Sequence, residues 1–268
     1  NDIANYSDVE SIELANSFND NELTNSPLLA GGEGLVDSHS HDGGFSETTT
    51  ASFSADFAIG AVDGLDATTA LPDGNQTLQA TYGFQVDLNT SFTGEDSLDI
   101  SLDGGNANGA LAEFDTNDTS DALTVDGVSY TFPIGGVTAI VGDNTDGSAL
   151  FTTACVYGGP SNTLDDCGNV NAGITNGGVA VGASYDFGNG FTTALGYAGN
   201  EADIMTKEGI DAYGANAAYT GDNFGVSLTY GVLETSATDE NTYTALNGYY
   251  SFDGGFSVSA GYEVGDIG

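Results

Sequence analysis

The chain has 268 residues and combines 40 Asp and Glu with a single basic residue, Lys207, so its formal net charge is −39. This charge excludes partners that need a basic surface, namely nucleic acid and anionic lipid leaflets, and it favours cations. Hydrophobic residues make up 39% of the chain, with 13 Tyr and 14 Phe, which argues against disorder. Its 40 Gly and 4 Pro are typical of a β protein with many tight turns.

Residues 1–44 show no regular hydrophobic period and are rich in Asn, Asp, Ser and Gly. We interpret them as a flexible acidic N-terminal segment with one short helix near Val9–Ser17. No apolar run approaches the roughly 20 residues of a transmembrane helix. The chain begins at Asn1 without a signal peptide, so we expect a mature protein or a fragment.

From Glu47 onward, apolar and polar residues alternate with the period of two that is typical of β-strands. The clearest run, residues 77–92, is longer than the roughly 5–6 residues of a typical soluble strand. The polar partners are mostly Gly, Ser, Thr and Asp, which suit a concave, water-filled interior. Aromatic residues near the strand ends resemble the aromatic girdles of a membrane barrel; they are Phe92, Phe187, Phe191, Tyr197, Tyr219, Phe224, Tyr230, Phe252 and Phe256.

The pattern predicts eleven strands whose connections are alternately short and long. Short turns on one side and long loops on the other are typical of a transmembrane antiparallel up-and-down β-barrel of the porin type. One ambiguous stretch, residues 125–128, also fits a hairpin, and we assign it to the long connection before the fourth strand. A soluble β-sandwich with aromatic strand ends is the alternative fold. The predicted strands are residues 49–59, 77–92, 97–104, 128–133, 136–142, 178–187, 191–198, 209–220, 224–232, 242–252 and 256–264.

Two segments, LNTSFTGEDSL at residues 88–98 and ISLDGGN at residues 100–106, resemble cyanobacterial outer-membrane porins of the iron-uptake and carbohydrate-selective families. The segment FSETTT at residues 45–50 resembles the start of their barrel, so the porin domain would cover residues 45–268. The resemblance implies a barrel of sixteen strands, often a homotrimer, that passes inorganic ions and small solutes through a bacterial outer membrane.

The chain departs from that family in three respects. Only residues 6–9 are similar to the surface-layer-homology segment with which such proteins grip the cell wall. Asp99 and Asp103 lie on the strand where the family often has basic residues. Eleven is an odd number of strands, and an open barrel would leave unpaired edges in lipid. We therefore expect the sequence to lack C-terminal strands of a larger barrel.

The longest connection, residues 143–177, follows the fifth strand, and in general porins this loop folds into the lumen and narrows it. Cys155 and Cys167 both lie in it, and an even cysteine count in a chain of secreted character predicts a disulfide. Such a bond would stabilise the loop by about 3 kcal/mol; the alternative is two free thiols. The candidate constriction-loop residues are Asp143, Asp146, Cys155, Asp165, Asp166 and Cys167.

Carboxylates on the polar side of the predicted strands would face the lumen of a barrel. We expect them to favour cations, as acidic rings do in cation channels; the alternative is that they are merely solvated. The candidate pore-lining residues are Asp56, Asp87, Asp99, Asp103 and Asp186.

Two further motifs are candidate metal sites. His39 and His41, flanked by Asp37 and Asp42, have ligands that suit zinc or copper, but their spacing favours a polar linker. Residues 143–148 (DNTDGS) mildly resemble a calcium loop but lack the distal Glu of an EF-hand. We therefore predict no metal and no other cofactor.

The chain has no GxSxG motif, and its two His lie in the N-terminal segment, so we predict no enzyme. The favoured function is an outer-membrane porin for passive diffusion of small hydrophilic solutes and inorganic ions, with a preference for cations. The alternative is a secreted, acidic, calcium-stabilised β-sandwich or surface adhesin, which would be soluble without detergent.

Overall fold

The computed structural model describes residues 48–61, 78–107, 111, 114, 116–157, 167–174, 178–207 and 209–268. All eleven predicted strands are present in it. In chain order they are β1 (Thr49–Gly60), β2 (Gln79–Thr90), β3 (Ser97–Gly105), β4 (Thr124–Ile134), β5 (Val137–Asp143), β6 (Val179–Asp186), β7 (Phe191–Gly199), β8 (Asp211–Thr220), β9 (Phe224–Glu234), β10 (Glu240–Ser251) and β11 (Ser257–Ile267).

The strands form one sheet in which each strand pairs antiparallel with the next along the chain. The order runs from β1 to β11 without a crossover, so β1 and β11 are the two edges. The predicted up-and-down antiparallel topology is therefore confirmed. In the described part of the chain, no helix has the length and hydropathy of a membrane span.

The register places the two sets of alternating residues on opposite faces of the sheet. On one face, Asp87 lies between Ser52 of β1 and Ser101 of β3, and Asn216 of β8 pairs with Thr229 of β9. We call this the polar face. The opposite or apolar face carries Val86, Leu195, Leu228, Leu246, Tyr262 and their neighbours in register.

The apolar face is exposed, although its side chains are large and hydrophobic. Phe57 is 82% exposed, Leu195 65% and Leu246 58%. Carboxylates occupy this face only at the strand ends opposite the turns 91–96, 135–136, 187–190, 221–223 and 252–256, namely at Asp143, Asp211, Glu234, Glu240 and Asp266. An uncharged apolar band of this extent marks a surface that is covered by something other than water.

Aromatic rings line the end of the apolar face next to the short turns. Ring centroids lie 4.6 Å apart for Phe191 and Tyr219 and 5.5 Å apart for Tyr219 and Phe224. Phe252 continues the row at 4.7 Å from Tyr250 and 5.6 Å from Phe256. Of the predicted girdle residues, Phe191, Tyr219 and Phe224 form one cluster of contacting rings and Phe252 and Phe256 belong to another, whereas Tyr197 and Tyr230 lie away from this end of the strands.

The connections follow the predicted alternation except at the last pair. Residues 235–239, between β9 and β10, are as few as residues 252–256, between β10 and β11. The prediction of a long connection there was wrong, because β10 begins at Glu240 and continues its pairing with β9 to Glu234. The shortest connection contains only Gly135 and Gly136, and Gly135 has a φ of 64°, which is compatible with a two-residue hairpin turn.

The assignment of residues 125–128 to a loop was also wrong. β4 begins at Thr124, and the register with β3 shifts between Ser101 and Leu102. Gly127 pairs with Ser101 and Val125 with Leu102, so Asp126 is the extra residue of a β-bulge. A bulge interrupts the period of two, which is why the sequence pattern failed there.

Asp96 holds the turn between β2 and β3 and joins it to β4. Its Oδ1 accepts hydrogen bonds from the backbone N–H groups of Phe92 (3.0 Å) and Thr93 (2.7 Å), and from the hydroxyls of Ser91 and Thr93 (both 2.8 Å). Its Oδ2 accepts one from the Tyr130 hydroxyl at 2.6 Å. The Tyr130 hydroxyl, followed by the Thr93 and Ser91 donors, holds the pKa of Asp96 well below its ordinary value, although burial opposes the shift.

We expect Asp96→Asn to destabilise the sheet at neutral pH. Because the folded-state pKa of Asp96 is depressed, its carboxylate stabilises the fold fully above the unfolded value of about 3.9, and the contribution is lost as the pH falls through the folded-state pKa. Urea unfolding of wild type and variant in detergent micelles should therefore differ at neutral pH and converge in acid. Asp253→Asn, in the exposed turn before β11, is the control, and a similar loss in both variants would contradict the role of Asp96.

Candidate pore-lining face and inner loop

The structure places all five candidate pore-lining carboxylates on the polar face. Asp56 pairs with Gly83, Asp99 with Ser129, and Asp103 with Thr124. Together with Asp87 they lie on the adjacent strands β1–β3. Asp186 lies apart from them, at the end of β6, where it accepts a hydrogen bond from the N–H of Gly188 at 2.7 Å.

Neutral donors surround these carboxylates. Asp87 accepts hydrogen bonds from Ser101 (2.7 Å), Gln85 (2.7 Å) and Ser52 (3.3 Å), and these donors join β1, β2 and β3. Asp99 accepts one from Ser97 at 2.7 Å, and Asp103 accepts one from Thr124. Hydroxyl and amide groups thus support the charges of Asp87, Asp99 and Asp103.

We call the segment between β5 and β6, residues 144–178, the inner loop; its described residues 144–157 and 167–174 lie against the polar face. Its outgoing branch donates backbone N–H groups to three side chains of the sheet. Thr152 donates to Asn216 Oδ1 at 3.0 Å, Ala154 to Ser227 Oγ at 2.9 Å, and Val156 to Ser259 Oγ at 2.9 Å. This branch therefore crosses β8, β9 and β11.

The return branch is held by β10 and β11. Asn247 donates its amide to the carbonyl of Cys167 at 2.7 Å. Glu263 accepts from the N–H of Asn171 (3.0 Å), its side-chain amide (2.8 Å) and the N–H of Ala172 (2.9 Å). One carboxylate on β11 thereby fixes two consecutive residues of the loop.

A disulfide joins the two branches of the inner loop. Cys155 and Cys167 are bonded, with their Cα atoms 5.9 Å apart. The bond lies between the contact of Val156 with β11 and the contact of the Cys167 carbonyl with β10. Both predictions for this segment, a disulfide and a loop folded onto the polar face, agree with the structure.

Glycines of the sheet allow the loop backbone to approach closely. A Cβ on Gly196 would meet the carbonyl of Gly147, and one on Gly261 would meet the carbonyl of Cys167. A Cβ on Gly231 would lie 2.9 Å from the Cα of Ala172. Only glycine fits where backbone packs on backbone in this way.

The candidate constriction-loop residues are placed differently from one another. Asp143 is the last residue of β5 and lies on the apolar face, so its assignment to the loop was wrong; its pairing with Val179 extends the strand by one residue. Asp146 lies in the inner loop and is exposed. Asp165 and Asp166 lie outside the described residues, as do the short helix near Val9–Ser17 and the histidine motif of residues 37–42.

The structure identifies three loop-holding residues that the sequence did not single out: Asn216, Asn247 and Glu263. All three sit at polar positions of alternating strands, and their partners are 64 to 92 residues away along the chain, so the sequence pattern does not show what they bind. Glu263 carried the clearest signal, a carboxylate among small residues on the polar face of β11.

A cavity of about 230 Å³ opens between the start of the inner loop and strands β3 and β4. Asp99, Asp126 and Asp146 contribute to its lining together with Ser101 and Asn144. Within the described ranges, no group of three or more His, Cys, Asp or Glu is arranged to hold a metal ion. The inner loop therefore meets the acidic half of the polar face at this cavity and covers the other half.

We expect Glu263→Ala to release the return branch of the inner loop without unfolding the sheet. Hydrogen exchange at the amides of Asn171 and Ala172 should accelerate about ten- to a hundredfold, because a hydrogen bond to a charged acceptor contributes roughly 1.5–3 kcal/mol. Asp266→Ala, on the same strand but the opposite face, is the control and should leave these amides unchanged. Unaltered protection at both amides in Glu263→Ala would contradict the assignment.

No protein-family model matches the sequence, and no curated protein matches it. Solved structures of Rhodopseudomonas blastica porin are similar to this chain. A double mutant aligns with a TM-score of 0.54 at 11% identity, and a triple mutant with 0.53 at 14% identity, each over 80% of this chain and 73% of that chain. A further triple mutant has a TM-score of 0.50 at 11% identity over the same shares. At these identities the likeness shows the fold, which is that of a bacterial porin sheet.

Proposed function

We propose that this chain forms the wall of a water-filled diffusion pore in a bacterial outer membrane, with small hydrophilic solutes and inorganic ions as its passengers. The observation that carries the proposal is the inner loop. It is tied to the polar face by hydrogen bonds to β8, β9, β10 and β11, while the opposite face of the sheet is apolar and exposed. A loop on the inside and lipid on the outside is the arrangement that a narrowed pore requires.

The apolar face suits hydrocarbon because its mid-strand positions carry no carboxylate. An aromatic row at one end and carboxylates at the other give it the two boundaries of a membrane-spanning band. A sheet in lipid needs all of its backbone groups paired, so the pore also requires partners for the edges β1 and β11.

We further propose that the pore prefers cations. Asp56, Asp87, Asp99 and Asp103 lie together on three adjacent strands, and the sole Lys or Arg of the chain, Lys207, belongs to the connection between β7 and β8. Carboxylates lining a confined aqueous path raise the local concentration of cations and repel anions.

The proposal extends to the solutes that pass through the pore and to its oligomeric state. The resemblance of residues 88–106 to cyanobacterial porins supports ions and carbohydrates as solutes and a homotrimer as the assembly. We propose that the protein acts as a channel without enzymatic activity. The alternative, an acidic β-sandwich or adhesin, is not favoured, because the eleven described strands belong to one sheet in sequential order.

We expect the full chain, reconstituted in planar lipid bilayers, to conduct ions with a cation preference. The double variant Asp99→Asn, Asp103→Asn should lower the cation-to-anion permeability ratio severalfold, because it removes two charges from the polar face. Reversal potentials in a salt gradient measure this ratio.

The double variant Asp143→Asn, Asp266→Asn removes the same charge from the apolar face and is the matched control. It should leave the permeability ratio unchanged. An anion-selective wild-type pore would refute the cation preference, and a chain that inserts without conducting would refute the pore itself.

A further inference from the structure

The apolar face carries a second cavity, on the side of the sheet opposite to the inner loop. Its volume is about 560 Å³, and its lining includes Tyr197, Lys207, Asp211, Tyr213 and Glu234. These residues come from the ends of β7, β8 and β9 that lie opposite the aromatic row, and from the connection between β7 and β8. Met205, Thr206 and Lys207 of the connection thus form one side of a cavity that is open to the surroundings at the end of the apolar face.

Hydrogen bonds build the walls of this cavity. The Tyr197 hydroxyl donates to Asp211 Oδ1 at 2.6 Å and accepts from the N–H of Met205 at 3.1 Å. The N–H of Asp211 donates to Glu234 Oε2 at 3.3 Å. Tyr197 therefore holds the connection against the end of β8. The bond from the Asp211 N–H to Glu234 places the carboxylates of Asp211 and Glu234 in the same wall of the cavity.

The lining combines both signs of charge. Lys207 is the only Lys or Arg in a chain of net charge −39, and it lies in the same cavity as Asp211 and Glu234. Asp211 is only 7% exposed. Within the described residues, neither carboxylate forms an ion pair with Lys207. A ligand with neighbouring anionic and cationic groups could pair its anionic group with Lys207 and its cationic group with Asp211 and Glu234.

The surroundings of the cavity are hydrophobic and exposed. Met205, which belongs to the lining, is 72% exposed, and nearby Ile210 is 50% exposed. One register row further along the apolar face, about 7 Å away, Leu195 is 65% and Tyr230 46% exposed. A ligand seated here would extend its apolar part over that band, which favours a lipid over a free zwitterionic solute.

We propose that this cavity binds the headgroup of a phosphoethanolamine lipid. The ammonium of the headgroup lies against Asp211 and Glu234, the phosphate lies against Lys207, and the acyl chains lie on Leu195 and Tyr230. The inference rests on the proposed membrane placement of the apolar face. It adds a specific lipid site at the boundary of the band, next to the connection between β7 and β8.

Native mass spectrometry of the full chain, released from vesicles of phosphatidylcholine containing either phosphatidylethanolamine or phosphatidylglycerol, tests the site. We expect one phosphatidylethanolamine to be retained per chain, at least fivefold more than phosphatidylglycerol or phosphatidylcholine. Equal retention of the three lipids, or preferential retention of phosphatidylglycerol, would overturn the proposal.

Two variants separate the charges of the site. Glu234→Gln preserves side-chain length and removes the negative charge, and Lys207→Gln removes the positive charge while keeping a hydrogen-bond donor. Each should reduce retention of phosphatidylethanolamine at least fivefold. Asp239→Asn, in the short connection between β9 and β10, is the control and should retain the lipid. Retention unaffected by Lys207→Gln would overturn recognition of the phosphate.

The outcome is distinguishable from failure of the pore. A chain that inserts and conducts but retains no phosphatidylethanolamine overturns the lipid site alone. A chain that does not insert into any of these vesicles overturns the membrane placement, and the lipid site with it.

Discussion

The two-residue period of the side chains is the constraint on which the rest of this structure depends. Successive residues of a strand point to opposite sides of the sheet, and the register of neighbouring strands keeps each set in line. In this chain that alternation separates carboxylates, hydroxyls and glycines from large apolar side chains. One sheet thereby acquires a face suited to water and a face suited to hydrocarbon.

The polar face is divided between two uses. Strands β1–β3 present hydrogen-bonded carboxylates such as Asp87, and strands β7–β11 present the small and amide side chains on which the inner loop lies. Close approach of the loop backbone to Gly196 and Gly261 is compatible only with missing side chains. The inner loop covers the small side chains of β7–β11, whereas the carboxylates of β1–β3 remain beside it. An aqueous path along the polar face would therefore run next to these carboxylates.

The inner loop is held by interactions of different kinds. The disulfide between Cys155 and Cys167 shortens the free loop covalently, while Glu263 fixes the return branch by three hydrogen bonds. Asn216 and Asn247 provide hydrogen-bond partners for partly buried backbone groups of Thr152 and Cys167. The described residues of the inner loop form no secondary-structure ladder of their own, so such side-chain contacts are what give them a defined position.

The sequence by itself determined the strands, the two faces and the acidic character of the polar face. The alternation of apolar and polar residues is a local property that can be read within each strand separately. The sequence also indicated the disulfide, since an even cysteine count in a chain of secreted character predicts one. Only the tertiary structure decided the route of the inner loop, the bulge at Asp126, the strand position of Asp143 and the cavity around Lys207. These features depend on register and on contacts between distant residues, such as Asn171 and Glu263, which are 92 positions apart. A period-two pattern carries no information about which distant residue will lie opposite, and a single inserted residue in a bulge breaks the pattern itself.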